Sequence, residues 1–349
     1  MEFLIRLNYS PEDLEKIEKI VRDNVSFVAL MDGDIFDLFY YLNPLNPLKF
    51  RAMGDLNFTE KIASLADGGF NPTTKLEPYR WAAAVMAFLQ IAEIDIHFDS
   101  SMLEFASFHG HEEAREKFKA FHLINNIDPK VLIDFALGRT ESIPADAFQG
   151  IQGITQIPDA RRFSRKGNYF HLNYTFMLKI ALLAKDSTDP YHKMIKLIDW
   201  MNDEFMFGAP ALQFANIYFS PSRPKRMLKD ISKRGISNAA WDLTLIQEWG
   251  KVAVEECGTQ RPLLLITRDK AVKNIAGRLV ASTYEEFQSH MTSPWGKKSS
   301  HGRRIFSHYE MRWNQAEKDK SRNRKSYALL SGMKKSLETL LFGNPRGPL

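Results

Sequence analysis

The chain has 349 residues, 44% of them apolar and 26% charged, with a formal net charge of +5 and an isoelectric point near 9.0. This is the composition of a globular protein with ample material for a core, in one large domain or two ordinary ones. A single cysteine, Cys257, excludes an internal disulfide and points to a reducing compartment, the cytoplasm. No apolar stretch approaches the roughly 20 residues needed to span a bilayer, and Met1-Glu-Phe-Leu-Ile-Arg6 lacks the pattern of a signal peptide.

In chain order, Ser10-Pro-Glu-Asp13 has the form of a helix start: an N-cap serine, proline at the first helical position and acids in the first turn. Leu14, Ile17, Ile20 and Val21 then share one face. Ser26 to Asp32 is an apolar run ending in an acid, predicted as a buried strand, and Gly33-Asp34 turns into a helix stopped by Pro44 and Pro47. Residues 43–80 read as loop-rich. Trp81 to Ala92 is predicted helical, Ile94 to Asp99 a short strand, and Ser100 to Phe108 and residues 112–140 helical. Residues 141–168 read as an irregular, exposed segment. Helices follow at about 170–185 and 189–206, and the proline-rich, basic stretch 207–237 reads as loop. Asn238-Ala-Ala-Trp-Asp242-Leu-Thr-Leu-Ile reads as a helix, Leu263 to Thr267 as a buried strand, and the residues after Asp269 as a helix. Leu279 to Phe287 reads as a last strand and a capped helix. Near residue 291 the composition shifts to Lys, Arg, Ser, Gly and His, which predicts a basic tail with a helix near Ala328–Leu341. Strands alternating with helices predict an α/β protein.

Positive charge is concentrated. From Lys297 to Lys335 there are twelve Lys or Arg against three acids. Arg161, Arg162, Arg165 and Lys166, interleaved with Phe163, Tyr169 and Phe170, could pair phosphate contacts with base stacking. A set of solvated faces is the other reading of such runs.

Four acids stand out: Asp32, Glu104, Asp242 and Asp269. Carboxylate oxygens suit Mg²⁺ or Mn²⁺, and such ions activate water and neutralise charge at a scissile phosphate. Each acid also has a structural reading. Asp32 or Asp34 can cap a helix, and Glu104 closes a capping box with Ser101. Asp242 sits at the edge of the apolar face of Ala239, Leu243 and Ile246, and Asp269 can be an N-cap. His109-Gly-His111 has no second ligand pair at metal spacing, so zinc is not expected there.

Taken together and in this order, the acids resemble the PIN-domain family of metal-dependent nucleases. The matching motifs are Val28-Ala-Leu-Met-Asp32-Gly-Asp34, the helical Glu104, Ala239-Ala240-Trp-Asp242 and the strand end Thr267-Arg268-Asp269. The resemblance is best over residues 26–40 and 236–288. It implies a Rossmann-like parallel sheet flanked by helices, with the acids converging at its C-terminal edge. It also implies Mg²⁺- or Mn²⁺-dependent hydrolysis of phosphodiester bonds, usually in RNA, leaving 5′-phosphate and 3′-hydroxyl ends. Thr267 would orient Asp269 or a bound water, Asn238 would face the same side of its helix as Asp242, and Arg268 would contact nucleic acid. Because 138 positions separate Glu104 from Asp242, the domain expected over 1–290 must carry a helical insertion at about 110–235, followed by a tail over 291–349. The competing expectations are a catalytically inactive PIN-like protein that binds nucleic acid or a partner, and a toxin-like nuclease restrained by an inhibitory protein. Oligomeric state, including a homo-oligomer, stays open.

Overall fold

A computed structural model of the chain describes residues 9–24, 26–28, 40–41, 48–67, 75–151, 168–223, 227–228, 230–255, 261–281, 283–296, 300–318 and 327–343. In chain order its elements are α1 (Pro11–Asn24), β1 (Ser26–Val28), β2 (Arg51–Gly54), α2 (Leu56–Ser64), α3 (Glu77–Ile91), β3 (Asp95–His97), α4 (Asp99–His109), α5 (His111–Asn125) and α6 (Pro129–Ala136). There follow α7 (Asn168–Lys185), α8 (Pro190–Asp203), α9 (Ala209–Phe219), α10 (Lys233–Glu255), β4 (Leu263–Thr267), α11 (Lys270–Leu279), α12 (Tyr284–Thr292), α13 (Ser300–Lys318) and α14 (Tyr327–Phe342). Packing divides the chain into two units, residues 1–166 with 251–273, and residues 167–250 with 274–349.

The first unit is α/β. Its sheet has the order β1-β4-β2-β3. β2 lies parallel to both β3 and β4, and β1 runs antiparallel to β4. The sheet is therefore mixed, where the sequence suggested a parallel one. Neighbouring parallel strands need a crossover, and α2 and α3 supply it between β2 and β3. Every residue of β4 is buried, as expected for a strand inside a covered parallel sheet. Trp81 to Leu89 in α3 are buried without a break, so this helix has no polar face; it packs against α1, α2, α6 and β3. α1 meets the expectation drawn from its period: Leu14, Ile17 and Val21 are buried, and the Ser10 hydroxyl accepts from the Asp13 N–H at 3.1 Å. Gly54 allows the end of β2 to approach α2, since a Cβ there would lie 2.7 Å from the Phe58 ring.

The second unit, among the described residues, is helical. α8 packs on α7, α9 and α13, α14 packs on α7, and α12 on α13. The segment from 291, expected as a basic tail, carries α13 and α14 and belongs to this unit. Ile305 and Phe306 are buried on α13, while Arg303 and Arg304 lie on its exposed side.

Other elements differ from the sequence reading. β2 and α2 lie inside 43–80, read as loop. A four-residue strand beginning with Arg and ending in Gly leaves no clear alternation. α9 lies inside 207–237, also read as loop. Pro210 to Phe219 are all buried, and a run without a polar face shows no helical period; a proline in the first turn is tolerated. The expected strand after Leu279 does not form at residues 280 or 281. The capped helix after it does: Thr283 accepts from the Glu286 N–H at 3.1 Å. Among the described residues no helix is long and apolar enough to cross a membrane.

Candidate active site

β2 and β4 run parallel, with Gly54 opposite Ile266, so their carboxyl ends reach the same edge of the sheet. That edge is where open α/β sheets hold ligands. Each strand leads there into a helix through an acid, Asp55 after β2 and Asp269 after β4. Asp55 is the N-cap of α2 and is 5% exposed; one carboxyl oxygen accepts from the Phe58 N–H at 2.8 Å. The other accepts from the Thr267 hydroxyl at 2.7 Å. The same hydroxyl accepts from the Asp269 N–H at 2.9 Å, so Thr267 joins the two acids. Asp269 is exposed and caps α11, with its carboxylate accepting from the Ala271 N–H at 2.7 Å. The Asp55 N–H donates to the Ile266 carbonyl at 3.0 Å, and the Ser101 hydroxyl on α4 donates to the Gly54 carbonyl. The edge is thus a buried carboxyl and a buried hydroxyl bonded in series to the Asp269 N–H, with the exposed Asp269 carboxylate capping α11.

Burial pushes the Asp55 carboxyl up to about 6. Donation from the Phe58 N–H and Thr267 opposes the rise, and the negative charge of Asp269 adds to it. Thr267→Val keeps the shape and removes the bridge. An ionised Asp55 would lose a donor, so its titration should move to higher pH, at a cost of about 1–3 kcal/mol for the unmade bonds. A carboxyl-detected NMR titration of wild type, Thr267→Val and Thr267→Ser reads this directly. Serine should restore the wild-type midpoint, and a valine midpoint equal to wild type would show that the hydroxyl does not tune Asp55.

Of the residues singled out in the sequence, Thr267 and Asp269 stand at this edge. Arg268, between them, donates to Glu77 at 3.0 Å and lies over the Trp81 ring at 4.9 Å, so its charge is already engaged. Glu104 is half-buried on α4, and its backbone carbonyl accepts from the Ser107 hydroxyl. Asp242, half-buried, and Asn238, exposed, lie one turn apart on α10 in the second unit. His109 stacks on Phe105 with ring centres 4.4 Å apart. Asp32, Asp34, Arg161, Arg162, Arg165, Lys166 and Cys257 lie outside the described residues.

Sequence reasoning missed Asp55. The signal was Ala52-Met-Gly-Asp55-Leu-Asn57, a short apolar run ending in an acid as at Val28 to Asp32, with leucine following where the Asp32 motif has glycine. The Asn57 side chain hydrogen-bonds Asp55.

Among the described residues no group of three or more His, Cys, Asp or Glu is placed to hold a metal ion. Mg²⁺ is commonly held by one or two carboxylates together with waters and substrate phosphates. A pair of carboxyl groups, all oxygen and open to solvent through Asp269, fits that manner of binding. Comparison with family models, with curated proteins and with solved structures finds no match.

Proposed function

We propose that the protein is a metal-dependent nuclease of the PIN-like kind, hydrolysing phosphodiester bonds in RNA, with Asp55 and Asp269 as its cation-holding pair. The observation that carries this reading is that Thr267, at the carboxyl edge of β2 and β4, donates to the Asp55 carboxyl and accepts from the backbone N–H of the second strand-end acid, Asp269. Bound there, Mg²⁺ or Mn²⁺ would neutralise phosphate charge and lower the pKa of a coordinated water. The chain's own part is specific. Asp269 presents a carboxylate to solvent at the entrance. Asp55 offers a second carboxyl whose ionisation near pH 6 makes cation binding favour neutral over acid conditions. Thr267 orients the Asp55 carboxyl and holds the backbone of Asp269 beside it. In this reading Asp55 does the work expected of a strand-end acid in the first motif, Asp269 keeps the role its motif implied, and a cytoplasmic setting goes with the single cysteine.

A second reading is favoured by a specific observation: both acids cap helices, Asp55 capping α2 and Asp269 capping α11. They would then be structural, in a protein that binds nucleic acid or a partner without cutting. Asparagine caps a helix nearly as well as aspartate but does not supply an anionic ligand, so it separates the readings. Labelled single-stranded RNA and DNA are incubated with the intact protein and Mn²⁺. Cleavage of RNA, reduced on the order of 100-fold or more in both Asp55→Asn and Asp269→Asn, is the expected result. No cleavage by the wild type, or equal cleavage by folded variants, would leave the acids as helix caps.

A further inference from the structure

The second unit contains a cavity of about 500 Å³ with no part in the site above. Its volume lies within the roughly 300–1,000 Å³ of small-molecule pockets. It is walled by the N-terminal turn of α8, the C-terminal end of α9 and the start of α13, together with Trp295. Tyr191, Phe219 and Trp295 give it aromatic walls, His301 adds an imidazole, and Arg304 gives it a cation. These groups are held in place. Tyr191 and His301 stack with ring centres 5.0 Å apart, and the Arg304 guanidinium lies 5.0 Å from the centre of the Tyr191 ring. The buried Trp295 donates through its indole N–H to Asn216 at 2.7 Å. Among the described residues Arg304 has no carboxylate partner, its one contact being the Tyr191 ring. One acid reaches the cavity: Asp189, the N-cap of α8, accepts from the His192 N–H at 3.1 Å and contacts the His192 ring.

We propose that this cavity is a nucleoside-phosphate site. The walls match the three parts of such a ligand. The aromatic wall takes a base by apolar contact, which is tolerant of base identity. A guanidinium without a carboxylate partner takes the phosphate, and its planar fork suits that group better than an ammonium does. A carboxylate at the wall accepts from ribose hydroxyls. It accepts from the His192 backbone N–H, whose dipole offsets part of its charge, so it does not oppose the phosphate fully. The ligand is either a free nucleotide or one nucleotide of a single strand, and the two sources share this chemistry. The proposal does not rest on cleavage at Asp55 and Asp269.

The test uses the intact chain with EDTA present, so that it reads binding without metal-dependent chemistry. AMP, UMP, adenosine, inorganic phosphate and a single-stranded oligoadenylate are titrated by calorimetry. Both mononucleotides should bind, with adenosine and phosphate each at least about tenfold weaker. Arg304→Ala should weaken AMP about tenfold and leave adenosine unchanged, because the loss is of a charge-assisted contact to phosphate. Tyr191→Ala should weaken AMP and adenosine alike. An oligonucleotide that binds more tightly than AMP and responds to Arg304→Ala identifies a strand; equal affinities identify a free nucleotide. Absence of binding by AMP and oligonucleotide at millimolar concentration would overturn the proposal. So would phosphate binding as tightly as AMP, or unchanged AMP affinity in a folded Arg304→Ala variant.

Discussion

Asp55→Asn is expected to stabilise the first unit at neutral pH. The carboxyl lies fully inside the protein, and burial raises its pKa from the ordinary value of 3.8 to about 6. The folded state therefore holds this proton more tightly than the unfolded state. Its contribution to stability is fully present below about pH 4 and is lost as pH rises through about 6. Above that, the buried ionised form costs up to about 3 kcal/mol relative to a chain in which Asp55 titrates normally. Asparagine has no charge to bury. It can still accept from the Phe58 N–H, and the Thr267 hydroxyl can turn to accept from its amide. Hydrogen exchange of the β4 amides reads the effect locally. At pH 7.5 the opening free energy should rise by about 2–3 kcal/mol over wild type, and near pH 4 the two should converge. A variant less stable at pH 7.5, or an equal shift at both pH values, would show that burial of the charge does not set the balance. On the function proposed above, the same substitution removes a cation ligand, and stability gained where binding is lost is the trade expected of a functional acid held in an unfavourable place.

Asn216→Leu should have the opposite sign and comparable size. Asn216 is fully buried on α9. Its amide donates to the Met291 carbonyl at 3.0 Å and its carbonyl accepts from the Trp295 indole at 2.7 Å. One side chain thus ties α9 to the end of α12 and to Trp295. Leucine has a similar volume but leaves a buried donor and a buried acceptor unmade, each costing about 1–3 kcal/mol. A loss of about 3 kcal/mol in the second unit follows, read as a lower denaturant midpoint. The double variant with Trp295→Phe isolates the cause. Once the indole is gone, Asn216→Leu should cost less than it does in the wild type, and strictly additive costs would mean that packing, not the Asn216–Trp295 bond, carries the loss.

The sequence was legible wherever the chemistry is local. The Ser10 cap and the face of Leu14, Ile17 and Val21 are satisfied within α1. Thr283 caps α12 through an amide three residues on. Thr267-Arg268-Asp269 could be placed at a strand end because four consecutive buried apolar residues, Leu263 to Ile266, precede it. β2 and α9 escaped because their signals depend on surroundings. Four residues of strand are specified by β3 and β4 on either side, and a helix buried along its whole length shows no alternation of polar and apolar positions.

By itself, then, the sequence determined the α/β class, the caps and buried faces of individual helices, and the acid that follows β4. The partner of that acid was decided by tertiary structure alone. Asp55 and Thr267 are 212 residues apart and meet at 2.7 Å only because β2 and β4 pair in parallel, Gly54 opposite Ile266. The raised pKa of Asp55 is likewise a property of its surroundings, since desolvation comes from the elements packed around it. The same holds for the cavity of Tyr191, Trp295 and Arg304, whose walls come from α8, α13 and the turn between α12 and α13. No spacing along the chain links those residues, because helix packing, which acts between surfaces and not between sequence neighbours, is what brings them together.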